Sequence, residues 1–354
     1  MRSVVDSAAL RHNLACVRAL APDSRVLAVI KANAYGHGLV PVARALAASD
    51  AFAVARLEEG LLLRDAGFEQ PVLLLEGVRT PEQLAQACQQ GLDLMVHSFE
   101  QLALLESRAE RAPLRAWLKL DTGMNRLGFR PEEFDAAYGR LGGIPGIEQP
   151  PRLVTHLANA DDRNDPMTVA QLRCFESVTA GCPGERSIAN SAGILAWPDA
   201  RSDWARPGLM LYGVAPFRGE SGTDFGLRPV MSFETEVIAL KTVLPGESVG
   251  YRATWRAGRA SRIAVLAAGY GDGYPRATAA GAPVLIEGRR ASLVGRVSMD
   301  MLTVDVTDLS AVRPGDRVTL WGDGLPVEEV ARYAGAIPYE LTCGVSQRVP
   351  HEVR

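Results

Sequence analysis

This chain lacks an excess of charge of either sign. Its 38 basic and 41 acidic side chains leave a net charge of −3 over 354 residues, so nothing points to nucleic acid or an anionic membrane as a partner. Long apolar runs are missing too, and none approaches the ~20 residues that span a bilayer. The opening MRSVVDSAALRHNLACVRAL has no continuous apolar stretch of the signal-peptide kind and reads as leading directly into an amphipathic helix, so a cytoplasmic protein is expected. Cysteine is sparse. Cys16, Cys88, Cys174, Cys182 and Cys343 are scattered with no Cys-x-x-Cys pair, which argues against both a disulfide framework and a zinc site. The five histidines show no ligand spacing, so no metal is expected. Low-complexity segments are absent as well.

What is present is core material in a regular order. Apolar residues make up 47% of the chain, and the length suits two domains or a large barrel with a smaller domain. From residue 26 to about 213 a short apolar strand, a loop and a helix alternate. The strand candidates are 26–32, 51–55, 71–77, 92–97, 114–120, 152–156, 187–190 and 208–212, with helices at 57–66, 81–90, 99–110, 131–141 and 166–179 among others. Near-continuous apolar strands between amphipathic helices imply a parallel sheet covered by helices. Eight such units fit an α/β fold of the closed (β/α)8 TIM-barrel type, with an open doubly wound sheet as the alternative. After residue 227 the texture changes to β-rich runs at 232–243, 247–251, 262–269, 282–287, 292–306 and 317–321, bounded by Gly-containing turns and interrupted by one helix at 327–334. The expected organisation is a barrel over 1–227 and a mainly-β domain over 228–354.

Polar residues fall where such a barrel does its chemistry, at the carboxyl ends of the strands. Lys31 ends the first strand within AVIKANAYGHG, before a Tyr-Gly-His-Gly loop. A lysine among apolar neighbours loses solvation, which favours the neutral amine that can attack an aldehyde. A packed stem with a solvated head is the ordinary alternative. Lys119 lies near the end of the fifth strand, with Asp121, Asn125 and Arg126 beyond it. His156 ends the sixth, Asn190 and Ser191 the seventh, and Arg206 leads into Pro207-Gly208-Leu209. Singly, these are a core histidine, a helix cap and a loop arginine. Together they converge on one face. Ser191 at a helix start and Gly208, which allows close backbone approach, suit a phosphate. A phosphate site facing a strand-end lysine points to pyridoxal phosphate. GYGDG at 269–273 only superficially resembles a dinucleotide loop, because its glycine spacing is wrong and no βαβ unit surrounds it.

Across almost the whole chain, AVIKANAYGHG (28–38), WLKLDTGMNRLGF (117–129), THLANAD (155–161), RPGLMLYG (206–213), VGYRATW (249–255), GYGDGYPR (269–276) and GRVSMDM (295–301) resemble the alanine racemases, bacterial pyridoxal-phosphate enzymes. The resemblance implies a barrel followed by a β domain, and a head-to-tail homodimer in which the partner's β domain completes each site. It implies Lys31 as the Schiff-base lysine. Tyr35, Ser191, Tyr339 and the backbone of Gly208 and Leu209 would hold the phosphate. Arg206 would face the pyridine nitrogen with His156 behind it, and Arg126 would bind the substrate carboxylate. From the other subunit, Tyr251 would be the second base and the Met299 amide would touch the carboxylate. Tyr270, Arg276 and Arg296 would line the entrance, with Asp161 and Ile337 at matching positions and Asp300 in a supporting role. Lys119 matches a lysine that some members carbamylate, placing a negative charge beside Arg126. Two positions depart from the usual pattern: Leu157, where phenylalanine is common, and Arg252, where a glycine often follows the catalytic tyrosine.

The implied activity is interconversion of L- and D-alanine (an isomerase, EC 5.1.1.1), supplying D-alanine for peptidoglycan or serving alanine catabolism. Racemisation needs a Cα proton removed on one face and replaced on the other. The resemblance assigns the D-alanine proton to Lys31 and the L-alanine proton to Tyr251. Arg206, a donor only, would leave the pyridine nitrogen unprotonated and disfavour transamination. A barrel-type decarboxylase usually has an acidic residue where this chain has Arg206, and a pyridoxal-phosphate carrier would leave 228–354 without a purpose.

Overall fold

The computed structural model describes residues 1–108 and 112–354. Its first strand, β1 (Arg2–Val5), precedes the helix Ser7–Leu20, so the chain does not open directly into helix as the sequence suggested. Eight short strands then alternate with helices: β2 (Arg25–Val29), β3 (Ala51–Val54), β4 (Val72–Leu74), β5 (Asp93–Val96), β6 (Ala116–Lys119), β7 (Arg152–Val154), β8 (Arg186–Ser187) and β9 (Trp204–Ala205). Neighbours pair in parallel from β2 through β8, and β9 returns to β2 with Arg25 opposite Trp204. Among the described residues only β8 and β9 share no ladder. Hydrogen bonds close that seam: Arg206 N–H to Ala189 O at 2.9 Å, Arg186 N–H to Asp203 Oδ2 at 2.7 Å and Ser187 Oγ to Trp204 O at 3.0 Å. The result is a nearly closed (β/α)8 barrel rather than an open sheet.

Helices start where side chains can satisfy their free N–H groups. Asp6 accepts from Ala8 and Ala9, Thr80 precedes Pro81 at the first helical position, and Ser98 caps Phe99–Glu106. The helix expected over 99–110 ends at Glu106, and its last two positions lie outside the described residues. Among the described residues no helix is long and apolar enough to cross a membrane.

The second unit is built on β10 (Met231–Val243). Arg317–Trp321, Pro283–Ile286, Arg289–Leu293, Leu302–Asp305 and Ser261–Leu266 follow one another in antiparallel pairing and return to β10, so that six strands close on themselves. Toward its start β10 also pairs with β1, placing Phe233 opposite Ser3, and His351–Val353 lies parallel on the far side of β1. This core is anchored by Phe233 stacked on Trp321, with ring centroids 4.3 Å apart.

Three element expectations are corrected. The last barrel strand is β9, not 208–212. Pro207 carries no N–H to continue a ladder, and Leu209–Tyr212 coils into a buried 3-10 turn from which Tyr212 Oη donates to Val29 O at 3.1 Å. The run 292–306 is not one strand, because a loop over 295–301 separates Arg289–Leu293 from Leu302–Asp305. Helix Pro338–Cys343 and strand His351–Val353 give no sequence signal long enough to read.

Candidate active site

β2 delivers Lys31 to the mouth of the barrel, and the four residues after it do not form an ordinary loop. Ala32, Asn33, Ala34 and Tyr35 all have φ between 52° and 54°, a left-handed turn of four residues with side chains. Each costs roughly 1–2 kcal/mol over the right-handed form, so the surroundings must hold it. Within the turn, Ala34 N–H donates to Ile30 O at 2.9 Å and Gly36 N–H to Ala32 O at 3.1 Å. Asn33 Oδ1 accepts from Leu39 N–H at 2.9 Å, and Glu59 Oε1 accepts from Asn33 N–H at 3.4 Å. Gly36 (φ 81°) completes the turn, and a Cβ there would lie 2.0 Å from Thr342 O. Helix Pro338–Cys343 therefore packs directly on the lysine turn. Burial, and then the nearby Arg126, lower the Lys31 pKa, opposed by Glu59 and Glu76.

Arg206 follows β9 and is buried, with no carboxylate paired to it among the described residues. It donates to Ser187 Oγ at 2.6 Å, Thr155 O at 2.7 Å, Ile188 O at 3.3 Å and His156 Nδ1 at 3.2 Å. Burial lowers its pKa to about 10, so it stays cationic at neutral pH. Burial and then Arg206 push the His156 pKa well down. With Nδ1 accepting from a guanidinium that can only donate, the neutral ring carries its proton on Nε2. Lys119, the last residue of β6, is pushed down to about 8 by burial, then by Arg206 and Arg126. Arg126 is presented by a tight loop in which Asp121 Oδ1 accepts from Gly123 N–H at 2.9 Å and Asn125 N–H at 3.1 Å.

The same cleft holds a cradle suited to an anion. Ser191 Oγ accepts from the Gly208 amide at 3.0 Å and the Met210 amide at 3.2 Å, gathering three donor groups at one point. A Cβ on Gly208 would fall 2.5 Å from Tyr35 Oη, so only glycine lets the backbone and this phenol share the space. The Tyr35 ring lies 4.7 Å from Tyr212 and 5.7 Å from Tyr339. Burial raises the pKa of both Tyr35 and Tyr339, the latter to about 12, so both present O–H donors at neutral pH. The cradle could hold the phosphate of a cofactor.

These residues share one cleft of about 1470 Å³. Its lining includes Lys31, Tyr35, Lys119, Arg126, His156, Ser191, Arg206, Gly208, Leu209 and Tyr339, with Asp161 and Ile337 toward the rim. Tyr251, Tyr270, Arg276, Arg296, Met299 and Asp300 do not line it. The loops bearing them adjoin on the β domain. The amide of Arg296 lies 3.4 Å from where a Gly250 Cβ would be, and Tyr270 N–H donates to Ser298 O at 3.0 Å. Tyr251 is 68% and Met299 54% exposed. Arg252 has φ 63°, the left-handed conformation for which glycine is suited, which gives the glycine often found there a backbone reason. Sequence reading missed Thr155 and Ser187, which fix Arg206, and Glu59, which braces the lysine turn. Thr155 lies inside a quoted motif, but its role runs through a main-chain carbonyl that no residue type announces.

Sequence models of the alanine racemase N-terminal and C-terminal domains match residues 5–216 and 230–353. The chain is 50% identical over 345 residues to an alanine racemase of Aeromonas hydrophila, covering 98% of this chain and 97% of that one. It is likewise 50% identical over 347 residues to a biosynthetic alanine racemase of Salmonella typhimurium, covering 98% and 97%. Among solved structures, the biosynthetic alanine racemase of Pseudomonas aeruginosa superposes with a TM-score of 0.97 at 47% identity, covering all of both chains. That of Acinetobacter baumannii gives 0.94 at 41% identity, again over all of both chains. With both domain models matched in order, the chain belongs to the alanine racemase family of isomerases.

Proposed function

We propose that this chain interconverts L- and D-alanine with pyridoxal 5′-phosphate, in a homodimer whose active sites each join the barrel of one subunit to the β domain of the other. The observation that carries this reading is the division of the family's site residues between two surfaces: a Lys31 cleft in the barrel, and an exposed Tyr251–Met299 surface on the β domain that does not reach it.

The cleft fits the cofactor. Ser191, the Gly208 and Leu209 backbone, and the protonated Tyr35 and Tyr339 would hold its phosphate, with glycine at 208 letting the Tyr35 hydroxyl come up to the backbone there. Arg206, immobilised by four hydrogen bonds, would donate to the ring nitrogen, with neutral His156 behind it. Lys31 would carry the covalent link. When bound, the cofactor supplies acidity at the alanine Cα by delocalising the electron pair left there.

The chain's own groups do the rest. Arg126, which lines the cleft with Lys31, would bind the alanine carboxylate together with the Met299 amide of the partner subunit. A carbamate on Lys119 would orient Arg126. Lys31, its neutral form favoured by burial, would move the Cα proton on the D-alanine face, and Tyr251 of the partner subunit would move it on the opposite face. Tyr270, Arg276, Arg296, Asp161 and Ile337 would bound the entrance, and Asp300 would support it.

The test is incubation of the holoenzyme with L-alanine in heavy water, reading D-alanine, pyruvate and deuterium at Cα. D-alanine carrying deuterium, absent from Lys31→Ala, is the expected result. No D-alanine with cofactor bound would reject alanine as the substrate and reopen larger amino acids or cofactor carriage.

A further inference from the structure

The loops that carry Tyr270 and Met299 are joined by a residue outside every quoted motif. Arg348 lies just beyond helix Pro338–Cys343. Its Nε donates to Asp272 Oδ1 and its Nη2 to Asp300 Oδ1, each at 2.7 Å. Asp272 ends the turn Tyr270–Asp272, and Asp300 directly follows Met299, so one guanidinium ties both loops.

Each end of this clamp is itself fixed. Asp272 Oδ2 accepts from Gly269 N–H at 2.8 Å, and Asp272 O accepts from Ser346 N–H at 3.0 Å. The Met299 carbonyl accepts from Gly271 N–H at 2.8 Å. The loops approach so closely that a Cβ on Gly269 would lie 2.2 Å from Met299 O, and one on Gly271 2.8 Å from Arg348 Nη2. A planar guanidinium can face two carboxylates at once in a way an ammonium cannot. The ion pair to Asp300 is half in solvent and adds little stability by itself. Its effect is on where the Met299 peptide sits.

None of the atoms so held lines the Lys31 cleft of the same chain. We propose that Arg348 is a positioning residue acting across the dimer: it sets the 269–273 and 295–301 loops so that the Met299 amide and Tyr270 meet substrate in the neighbouring subunit's cleft, and it contributes nothing to its own. This rests on the shared-site reading above.

Heterodimers of two differently tagged chains test it. The control pair is Lys31→Ala with Tyr251→Phe. If sites are shared, one site of the two is intact and about half the native activity returns. No recovery would overturn the shared-site reading rather than the role of Arg348. In the homodimer, Arg348→Ala is expected to raise KM for alanine and lower kcat/KM by about ten- to a hundredfold, the scale of a small misplacement, and Arg348→Lys is expected not to rescue it. Paired with Lys31→Ala, the Arg348→Ala chain supplies the only working lysine while the Lys31→Ala chain supplies intact loops. That heterodimer should show native KM and about half the native activity. A KM still raised there, or an unaltered Arg348→Ala homodimer, overturns the proposal. If Arg348→Ala fails to fold, Asp300→Asn takes its place in the same cross with the same expectations.

Discussion

At the scale of single residues, the cleft is an accumulation of cations that burial works against. Lys119 shows the consequence most directly. Its folded pKa of about 8 lies below the unfolded value of about 10.4, so below pH 8 the folded protein keeps a desolvated ammonium beside two arginines. That penalty is complete below the folded pKa and fades as pH rises toward the unfolded one. Lys119→Met in the cofactor-free protein should therefore be more stable than the parent by about 3 kcal/mol at pH 7, with the gap closing by pH 10. Thermal unfolding at the two pH values checks both the sign and the window. A carbamate needs the neutral amine, so the same depression favours the modification the family resemblance implies at this position.

At the scale of elements, the lysine turn and the short helix packed on it form one device. Gly36→Ala would force a side chain into φ 81° and against Thr342 O. The expected outcome is a loss of about 3 kcal/mol or more and weaker cofactor binding, because Tyr339 rides on the displaced helix; melting and a spectroscopic cofactor titration read the two effects. The turn escapes a sequence reading for a physical reason. Ala-Asn-Ala-Tyr contains one residue that tolerates left-handed geometry and three that do not favour it, so the conformation is imposed by Glu59, Leu39 and the 338–343 helix rather than by local preference. The strand–helix alternation was legible because burial on both faces writes itself as apolar runs, and the strand-end positions of Lys31, Lys119 and His156 come with it. The eighth strand was not, because Leu209–Tyr212 is as apolar as a strand and only Pro207 argues against one. In the β domain, the aspartates at 272 and 300 had a reason only once Arg348 was placed between them.

At the scale of the whole molecule, barrel and β domain are joined by more than a linker. Glu328, buried on helix Val327–Ala334, accepts from the Ala215 amide at 2.9 Å and the Gly222 amide at 2.8 Å, fastening the segment between the units. Burial raises its carboxyl pKa. The unfolded chain thus ionises first as pH rises above 4.5, and the folded form becomes progressively less favoured. Glu328→Gln keeps an acceptor without the charge. It should equal or exceed the parent in melting temperature at pH 7, with the advantage vanishing toward pH 4.5. Glu328→Ala leaves two buried amides unpaired and should lose about 2–5 kcal/mol. A second tie is β1, which leaves the barrel's own helix to lie between β10 and His351–Val353. Translation delivers that strand first, β10 only after the whole barrel, and His351–Val353 last. The barrel strands can pair as they emerge from the ribosome, but the opening residues must wait, unpaired, until β10 follows them. His351–Val353 then adds to the outer side of β1, so it is a nascent chain stalled before β10 that would hold the barrel strands with a loose first strand.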